Sequence, residues 1–278
     1  MNYPVSNTIK KRKSVRTYSD EVIPDQIIQN IINFFSANCQ GPCGTKLRYQ
    51  IVDLDTSKTK LGTYGFISGA KKYLLFYAEK ENFNWLDIGY VIENVILYCA
   101  HLGIGTCWLG GTFNRSNLTK NILDENKYFI PAITPVGFAR KRKTLREKVI
   151  RGFAKAENRI PTDKILVNTP KEKLADSKVL NQLIQMVRLA PSASNKQPWR
   201  IEIENNIFHF YMQRTKGYSK IVPGIDLQKI DMGIALCHFC KTLKELNIPM
   251  IKKFDAVKNI EGLEYQKSLE IDLSELER

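Results

Sequence analysis

The sequence predicts an α+β fold built from two tandem halves, and three observations carry that reading. The chain of 278 residues repeats itself. Asp87-Ile88-Gly89 opens an apolar helical run that ends at Leu102, and Asp231-Met232-Gly233 opens a similar run that ends at Leu246, 144 positions later at both ends. Each half also presents its elements in one order: helix, strand, strand, helix. Finally, apolar residues make up 43% of the chain and aromatics 10%, enough for a sizeable core, so a disordered chain is excluded.

Taken in order, the first half opens its folded part with Pro24 near a helix N-terminus, where a fixed φ is favourable. Ile27, Ile28, Ile31, Ile32 and Phe35 then fall on one helical face. Arg48-Tyr49-Gln50-Ile51-Val52 alternates as a strand does, and Tyr73 to Ala78 predicts a second strand. The helix from Asp87 follows, then Gly103-Ile104-Gly105-Thr106-Cys107-Trp108-Leu109-Gly110-Gly111, then a strand through Pro135-Val136-Gly137-Phe138. The charged segment Arg146 to Ser177, with Pro161 and Pro170, predicts the connection. In the second half Val179, Leu180, Leu183, Ile184 and Val187 form the helical face. Strands are predicted at Pro198–Glu202 and Ile207–Met212, a loop at Lys216–Lys220, and the closing helix from Asp231. The halves are placed at residues 1–155 and 156–278, packed as one unit.

Charge narrows the function. Lys and Arg number 42 against 28 Asp and Glu, a net +14 that asks for an anionic partner such as nucleic acid, a membrane surface or a phosphorylated small molecule. No helix-turn-helix, zinc-finger or aromatic nucleic-acid motif is present, which argues against a nucleic-acid partner. Met1 to Lys10 lacks an apolar core of signal-peptide type. The run Ile88–Ala100 is broken by Glu93 and Asn94 and is too short to span a bilayer, so no membrane partner and a cytoplasmic location are expected. Six cysteines include Cys237-His238-Phe239-Cys240 and Cys39-Gln40-Gly41-Pro42-Cys43. Each is a lone pair where a structural metal site needs four ligands, so no metal is expected, and Cys237 and Cys240 are read as buried helical residues.

Three segments carry chemistry. Arg12-Lys13-Ser14-Val15-Arg16-Thr17-Tyr18 is basic, with guanidinium forks suited to an anion. Ala190-Pro191-Ser192-Ala193-Ser194-Asn195-Lys196-Gln197-Pro198-Trp199 combines small residues, which permit close backbone approach, with hydroxyl and amide side chains. The Gly103–Gly111 run follows Asp87-Ile88-Gly89 and Glu93-Asn94, and its glycine pair after Trp108 admits a flat ligand.

Together these segments resemble the flavin-dependent nitroreductase family over most of residues 8–245. Ordinary members of that family carry all three motifs in one subunit and bind FMN at a homodimer interface. Here the motifs are divided. The first half has the arginine motif and the glycine run, but only Asn38-Cys39-Gln40-Gly41-Pro42-Cys43-Gly44 where Pro-Ser-Ala would stand. The second half keeps Pro191-Ser192-Ala193 but lacks an Arg-x-Ser-x-Arg near Asn158–Lys164, and it ends Asn247-Ile248-Pro249 where Gly-Ile-Gly would stand. The chain therefore looks like the single-chain, tandem-repeat branch of the family, in which an intramolecular pseudo-dimer keeps one FMN per chain and a monomer suffices.

By that resemblance Arg12 and Ser14, with Lys13 beside them, approach the phosphate and ribityl chain, and Arg142 in Lys141-Arg142-Lys143 closes the phosphate site. Arg16 lies near the pyrimidine edge, where a cation raises the flavin potential. The Gly110 amide bonds flavin N5 with Leu109 and Gly111 shaping that edge, while Pro191, Ser192, Ala193 and Asn195 cover the ring. No catalytic side chain is needed, because the flavin carries the chemistry. Asp87 and Asn94 are read as structural. The implied activity is ping-pong transfer from NAD(P)H to a small-molecule electron acceptor, a nitroaromatic or quinone-like compound. Alternatives are a flavin sensor or storage protein without turnover, or a reductive dehalogenase of the same fold. The charge surplus fits this reading: five cations stand in Lys10–Arg16, and seven against Glu147 in Arg140–Arg151.

Overall fold

The computed structural model describes residues 3–54, 67–111, 113–122, 124–140, 158–170, 172–218, 221–255 and 258–272. Two compact units account for the chain. Lys11–Glu157 make the first, and Asn2–Lys10 together with Asn158–Arg278 make the second. The fold is α+β, with one four-stranded antiparallel sheet in each unit.

In the first unit helix α2 (Asp25–Ala37) starts after Pro24 and buries Ile31, Phe34 and Phe35. Strand β1 (Arg48–Asp53) pairs with β2 (Lys72–Glu79), whose centre from Tyr73 to Phe76 is buried on both faces. Helix α3 (Trp85–His101) is buried almost all round, as a helix apolar on every side must be. A short strand β3 (Gly105–Thr106), helix α4 (Arg115–Ile122) and strand β4 (Tyr128–Gly137) complete a sheet of order β1-β2-β4-β3.

The second unit contains helix α1 (Val5–Lys11) through its residues up to Lys10, since the Ser6 N–H donates to Glu245 and Gln182 donates to the Ser6 hydroxyl at 3.1 Å. Short helices α5 (Thr162–Ile165) and α6 (Glu172–Ala175) precede α7 (Lys178–Arg188), which Ser177 caps. Strands β5 (Trp199–Glu204) and β6 (Ile207–Met212) form a hairpin. Helix α8 (Leu227–Glu245) is almost wholly buried, and β7 (Met250–Phe254) and β8 (Glu264–Ile271) close the sheet as β5-β6-β8-β7. The strand orders of the two sheets correspond term by term. Each carries one register shift in the equivalent central pair, at Phe76/Ala78 and at Phe210/Tyr211.

Several boundaries correct the sequence reading. The two long helices begin before Asp87 and Asp231, because Asn84 and Asp226 serve as N-caps: the Asn84 side chain accepts from the Leu86 N–H and Asp226 from the Lys229 N–H. Arg146–Ser177 is not connection throughout. From Asn158 it belongs to the second unit, where α5 is followed by Leu166 bridging Ile201 of β5 in parallel. Strands β3, β7 and β8 went unpredicted. In β7 Ile251, Lys252 and Lys253 are exposed in succession, and most of β8 is half-buried, so neither carries a strong apolar alternation. Among the described residues no helix is long and apolar enough to cross a membrane.

Candidate functional site

The arginine motif is fixed by its backbone. Ser14 bridges Thr106 in parallel, with the Val15 N–H donating to the Thr106 carbonyl at 2.8 Å. Two residues on, the Ser68 N–H donates to the Arg16 carbonyl and the Tyr18 N–H to the Ser68 carbonyl. The segment thus runs between the glycine run and Ile67–Ala70, and two glycines make room for it. A Cβ on Gly105 would lie 2.8 Å from the Val15 side chain. Gly69, at φ +77°, would put one 2.6 Å from the Tyr18 carbonyl oxygen. Tyr18 is buried, donates to the Val15 carbonyl at 2.8 Å, and has its phenol pushed well up by burial.

The two arginines meet few partners. Arg12 Nε stands 3.8 Å from Glu93 Oε1, and both side chains are out of solvent, at 6% and 0% exposure. At that distance the contact is an ion pair without a hydrogen bond, so Arg12 Nε stays unsatisfied, as does Arg16 Nη1. Buried guanidinium N–H groups without acceptors are costly, and an anion placed against them removes the cost. Ser14 is half-buried and Lys13 exposed. The Arg140 N–H donates to the Thr17 carbonyl at 3.0 Å, which brings the start of the second basic cluster to this motif; Arg142 itself lies outside the described residues.

Glu93 joins the arginine motif to the glycine run, because its other oxygen accepts from the Trp108 indole N–H at 2.7 Å. Next to Trp108, Leu109 exchanges both backbone hydrogen bonds with Ile133, each at 3.0 Å. Arg115 holds the Gly110 carbonyl from behind, along with the carbonyls of Ile130 and Pro131 at 3.0 Å. In the first unit the structure therefore brings Arg12, Ser14 and Arg16 together with Leu109 and Gly110 through Thr106, Glu93 and Trp108. Gly111 follows as an exposed residue.

In the second unit the Pro-Ser-Ala segment is a strained turn. Ser194, Asn195 and Gln197 have φ of +48°, +54° and +49°, a region that costs non-glycine residues free energy and that local hydrogen bonds must offset. The Gln197 N–H donates to the Ser192 hydroxyl at 2.9 Å, Gln197 Oε1 accepts from the Ile160 N–H, and Asn195 donates to the Asn158 carbonyl at 2.9 Å. Arg159 Nη1 reaches Asn195 Oδ1 at 3.4 Å, and Tyr218 donates to Ser194 at 3.0 Å. Pro191, Ser192, Ala193 and Asn195 are left half-buried on this frame.

Asp87 and Asp231 grip equivalent loops differently. Asp87 accepts from the Cys43 and Thr45 N–H groups, both at 2.7 Å, whereas Asp231 accepts only from the Ala193 N–H at 2.9 Å and keeps Oδ2 buried without a partner. Burial drives the Asp231 carboxyl well above the usual carboxylate range, which the Ala193 N–H only partly counters. Asn94 donates weakly to Asn38 at 3.4 Å, a structural placement like that of Asp87. Cys237 and Cys240 are buried on α8, where burial pushes the Cys240 thiol up to about 12, and the adjacent His238 ring bonds the Met186 carbonyl at 2.9 Å.

Sequence reasoning missed the tie through Glu93, the clamp of Arg115 and the bracing by Asn158–Ile160. Glu93 stood in a motif without a partner assigned. Arg115 and Asn158 work through backbone carbonyls, which leave no mark in a residue pattern.

The family described as "Putative TM nitroreductase" matches residues 4–242, and the chain belongs to it. That membership places the protein among oxidoreductases of nitroreductase type. Among solved structures, a "putative nitroreductase" from Thermotoga maritima is similar in fold, with a TM-score of 0.61 at 20% identity over 98% of this chain and 94% of that one. A nitroreductase family protein from Clostridium novyi matches at 20% identity and TM-score 0.42, covering 50% of this chain and 87% of its own. An FMN-dependent nitroreductase from Clostridium difficile matches at 18% identity and TM-score 0.42, over 49% and 88%. No curated protein matched the chain.

Proposed function

We propose that this chain is an FMN-dependent oxidoreductase that accepts hydride from NAD(P)H and reduces nitroaromatic or quinone-like compounds. The observation that carries the reading is the pair of buried, unsatisfied guanidinium atoms, Arg12 Nε and Arg16 Nη1, in the motif that the family uses for its flavin. A cofactor that bears a phosphate and ring carbonyl oxygens supplies the acceptors those atoms lack, so the residues present fit FMN.

When bound, FMN supplies the two-electron chemistry. The chain's own residues position and polarise. Arg12, Lys13, Ser14 and Arg142 are assigned to the phosphate end, and Arg16 to the pyrimidine edge, where a fixed cation favours negative charge. Leu109, Gly110 and Gly111 present backbone at the ring edge. Pro191, Ser192, Ala193 and Asn195 are assigned to the ring face. The corresponding strand orders and the complementary motif losses support reading the chain as a tandem pseudo-dimer with one FMN per chain.

The test is spectroscopic. Purified protein saturated with FMN is expected to be yellow, with about one flavin per chain, and to bleach when NADH or NADPH is added without oxygen. Arg16→Ala is expected to weaken both flavin retention and bleaching. Protein that takes up no FMN, or two per chain, overturns the reading, and yellow protein that neither nucleotide bleaches overturns the enzymatic part.

A further inference from the structure

Arg115 is outside every motif, yet its guanidinium is the most heavily engaged group beside the glycine run. Nε donates to the Ile130 carbonyl at 3.0 Å and Nη2 to the Pro131 carbonyl at 3.0 Å and to the Gly110 carbonyl. The plane sits 4.3 Å over the Phe113 ring. One cation therefore binds three backbone acceptors from two separate segments, leaving it little freedom to move.

The consequence lies on the other side of the peptides. In a trans peptide the N–H points opposite to the C=O. The Gly110 carbonyl faces Arg115, so the N–H of the same peptide unit, that of Gly111, faces away from it. The Leu109 carbonyl faces the Ile133 N–H at 3.0 Å, so the Gly110 N–H also points away from β4. Neither N–H meets an acceptor among the described residues. A cation on the carbonyl oxygen also withdraws electron density through the amide and makes its N–H a stronger donor. Burial lowers the Arg115 guanidinium to about 10, which leaves it charged at neutral pH.

We propose that Arg115 is a positioning residue, orienting and polarising the Gly110–Gly111 peptide so that its one donor, the Gly111 N–H, faces the bound flavin and raises its reduction potential. The inference rests on the flavin reading above and assigns a residue that the reading does not contain.

Two arms separate failure of the inference from failure of that reading. In the first, FMN-loaded wild type, Arg115→Lys and Arg115→Gln are titrated for flavin content and midpoint potential. Arg115→Gln is expected to retain about one FMN and shift the reduction equilibrium about tenfold toward oxidised flavin, or about 30 mV for a two-electron couple. An unchanged potential with flavin bound overturns the proposal, because a purely structural staple would not move it. The second arm uses flavin-free protein, in which amide exchange at Gly111 is followed by NMR. With no acceptor, this amide exchanges at a rate set by its acidity, which the cation on the Gly110 carbonyl raises, so exchange is expected to slow about tenfold in Arg115→Gln and by less in Arg115→Lys, and unchanged exchange overturns the proposal. If wild type takes up no FMN, the functional reading fails while the exchange arm still judges the clamp. If Arg115→Gln does not fold, the Arg115→Lys measurements decide.

Discussion

Two aspartates at equivalent places in the two units should respond unequally to the same change. Asp87→Asn replaces one carboxylate oxygen by an NH2 group that must face the N–H of Cys43 or Thr45, both now 2.7 Å from the carboxylate. A buried N–H loses its acceptor and meets another donor, in a site with no solvent exposure. Losing a charge-assisted hydrogen bond and stranding its donor costs roughly 2–4 kcal/mol, and about 2 kcal/mol corresponds to roughly 4–8 °C in Tm for a unit of this size. Asp231→Asn can keep its bond from the Ala193 N–H through Oδ1, while the new NH2 takes the place of the orphaned Oδ2. The expected cost is within about 1 kcal/mol of zero. The pH dependence has a definite sign. Asp231 holds its proton more tightly folded than unfolded, so the unfolded chain releases it first. Wild-type stability should then decline as pH rises from the unfolded value of about 3.9 toward the raised folded value, and Asp231→Asn should remove that decline. Thermal unfolding of both variants across pH 4–8 checks the argument. Equal losses in the two, or a wild-type stability that climbs through this range and is lost on Asp231→Asn, would refute it.

Three further outcomes are expected. Trp108→Phe deprives Glu93 of its indole donor and should cost about 1–3 kcal/mol in denaturant unfolding, while an unchanged midpoint would show that the tie adds nothing. Gly69→Ala would place a Cβ 2.6 Å from the Tyr18 carbonyl at φ +77° and should destabilise the first unit by about 1–3 kcal/mol; wild-type hydrogen exchange at Tyr18 and Ser68 would contradict the close fit. His209 is held neutral, its pKa lowered chiefly by burial and also by Lys258, against the opposing pull of Glu202 and Glu204. The unfolded chain therefore gains this proton first, and stability should fall as pH drops below about 6.5. His209→Gln should flatten that fall in a Tm-versus-pH series.

What could be read from the chain followed the strength of local pattern. Tyr73 to Ala78 is a continuous apolar run and Ile207 to Met212 one broken only by His209, and both are central strands. The repeated Asp-x-Gly marked two buried helices because an aspartate on such a helix needs a built partner, which the loops at Cys43 and Ala193 supply. Helix starts were misplaced because Asn84 and Asp226 act by capping, and caps lie outside the apolar period that reveals the helix. In the Gly-Ile-Gly segment the motif was legible but its reason was not. Gly105 is required by the Val15 side chain, 90 positions earlier in the sequence. Arg115 and the Asn158–Ile160 brace remained invisible for the same cause, since both act on main-chain atoms that every residue shares.

The placement of α1 also bears on how the protein can be taken apart. Its residues up to Lys10 belong with Asn158–Arg278, yet Lys11 begins the other unit. A cut between Glu157 and Asn158 would not release two modules. The N-terminal piece would carry off a helix whose Ser6 partners, Glu245 and Gln182, stay on the C-terminal piece. Residues 158–278 expressed alone should be deficient in stability and recover it when a peptide covering residues 2–11 is supplied in trans. The second unit is thus written in two pieces with the first unit's residues between them, so no single uninterrupted stretch of sequence encodes it.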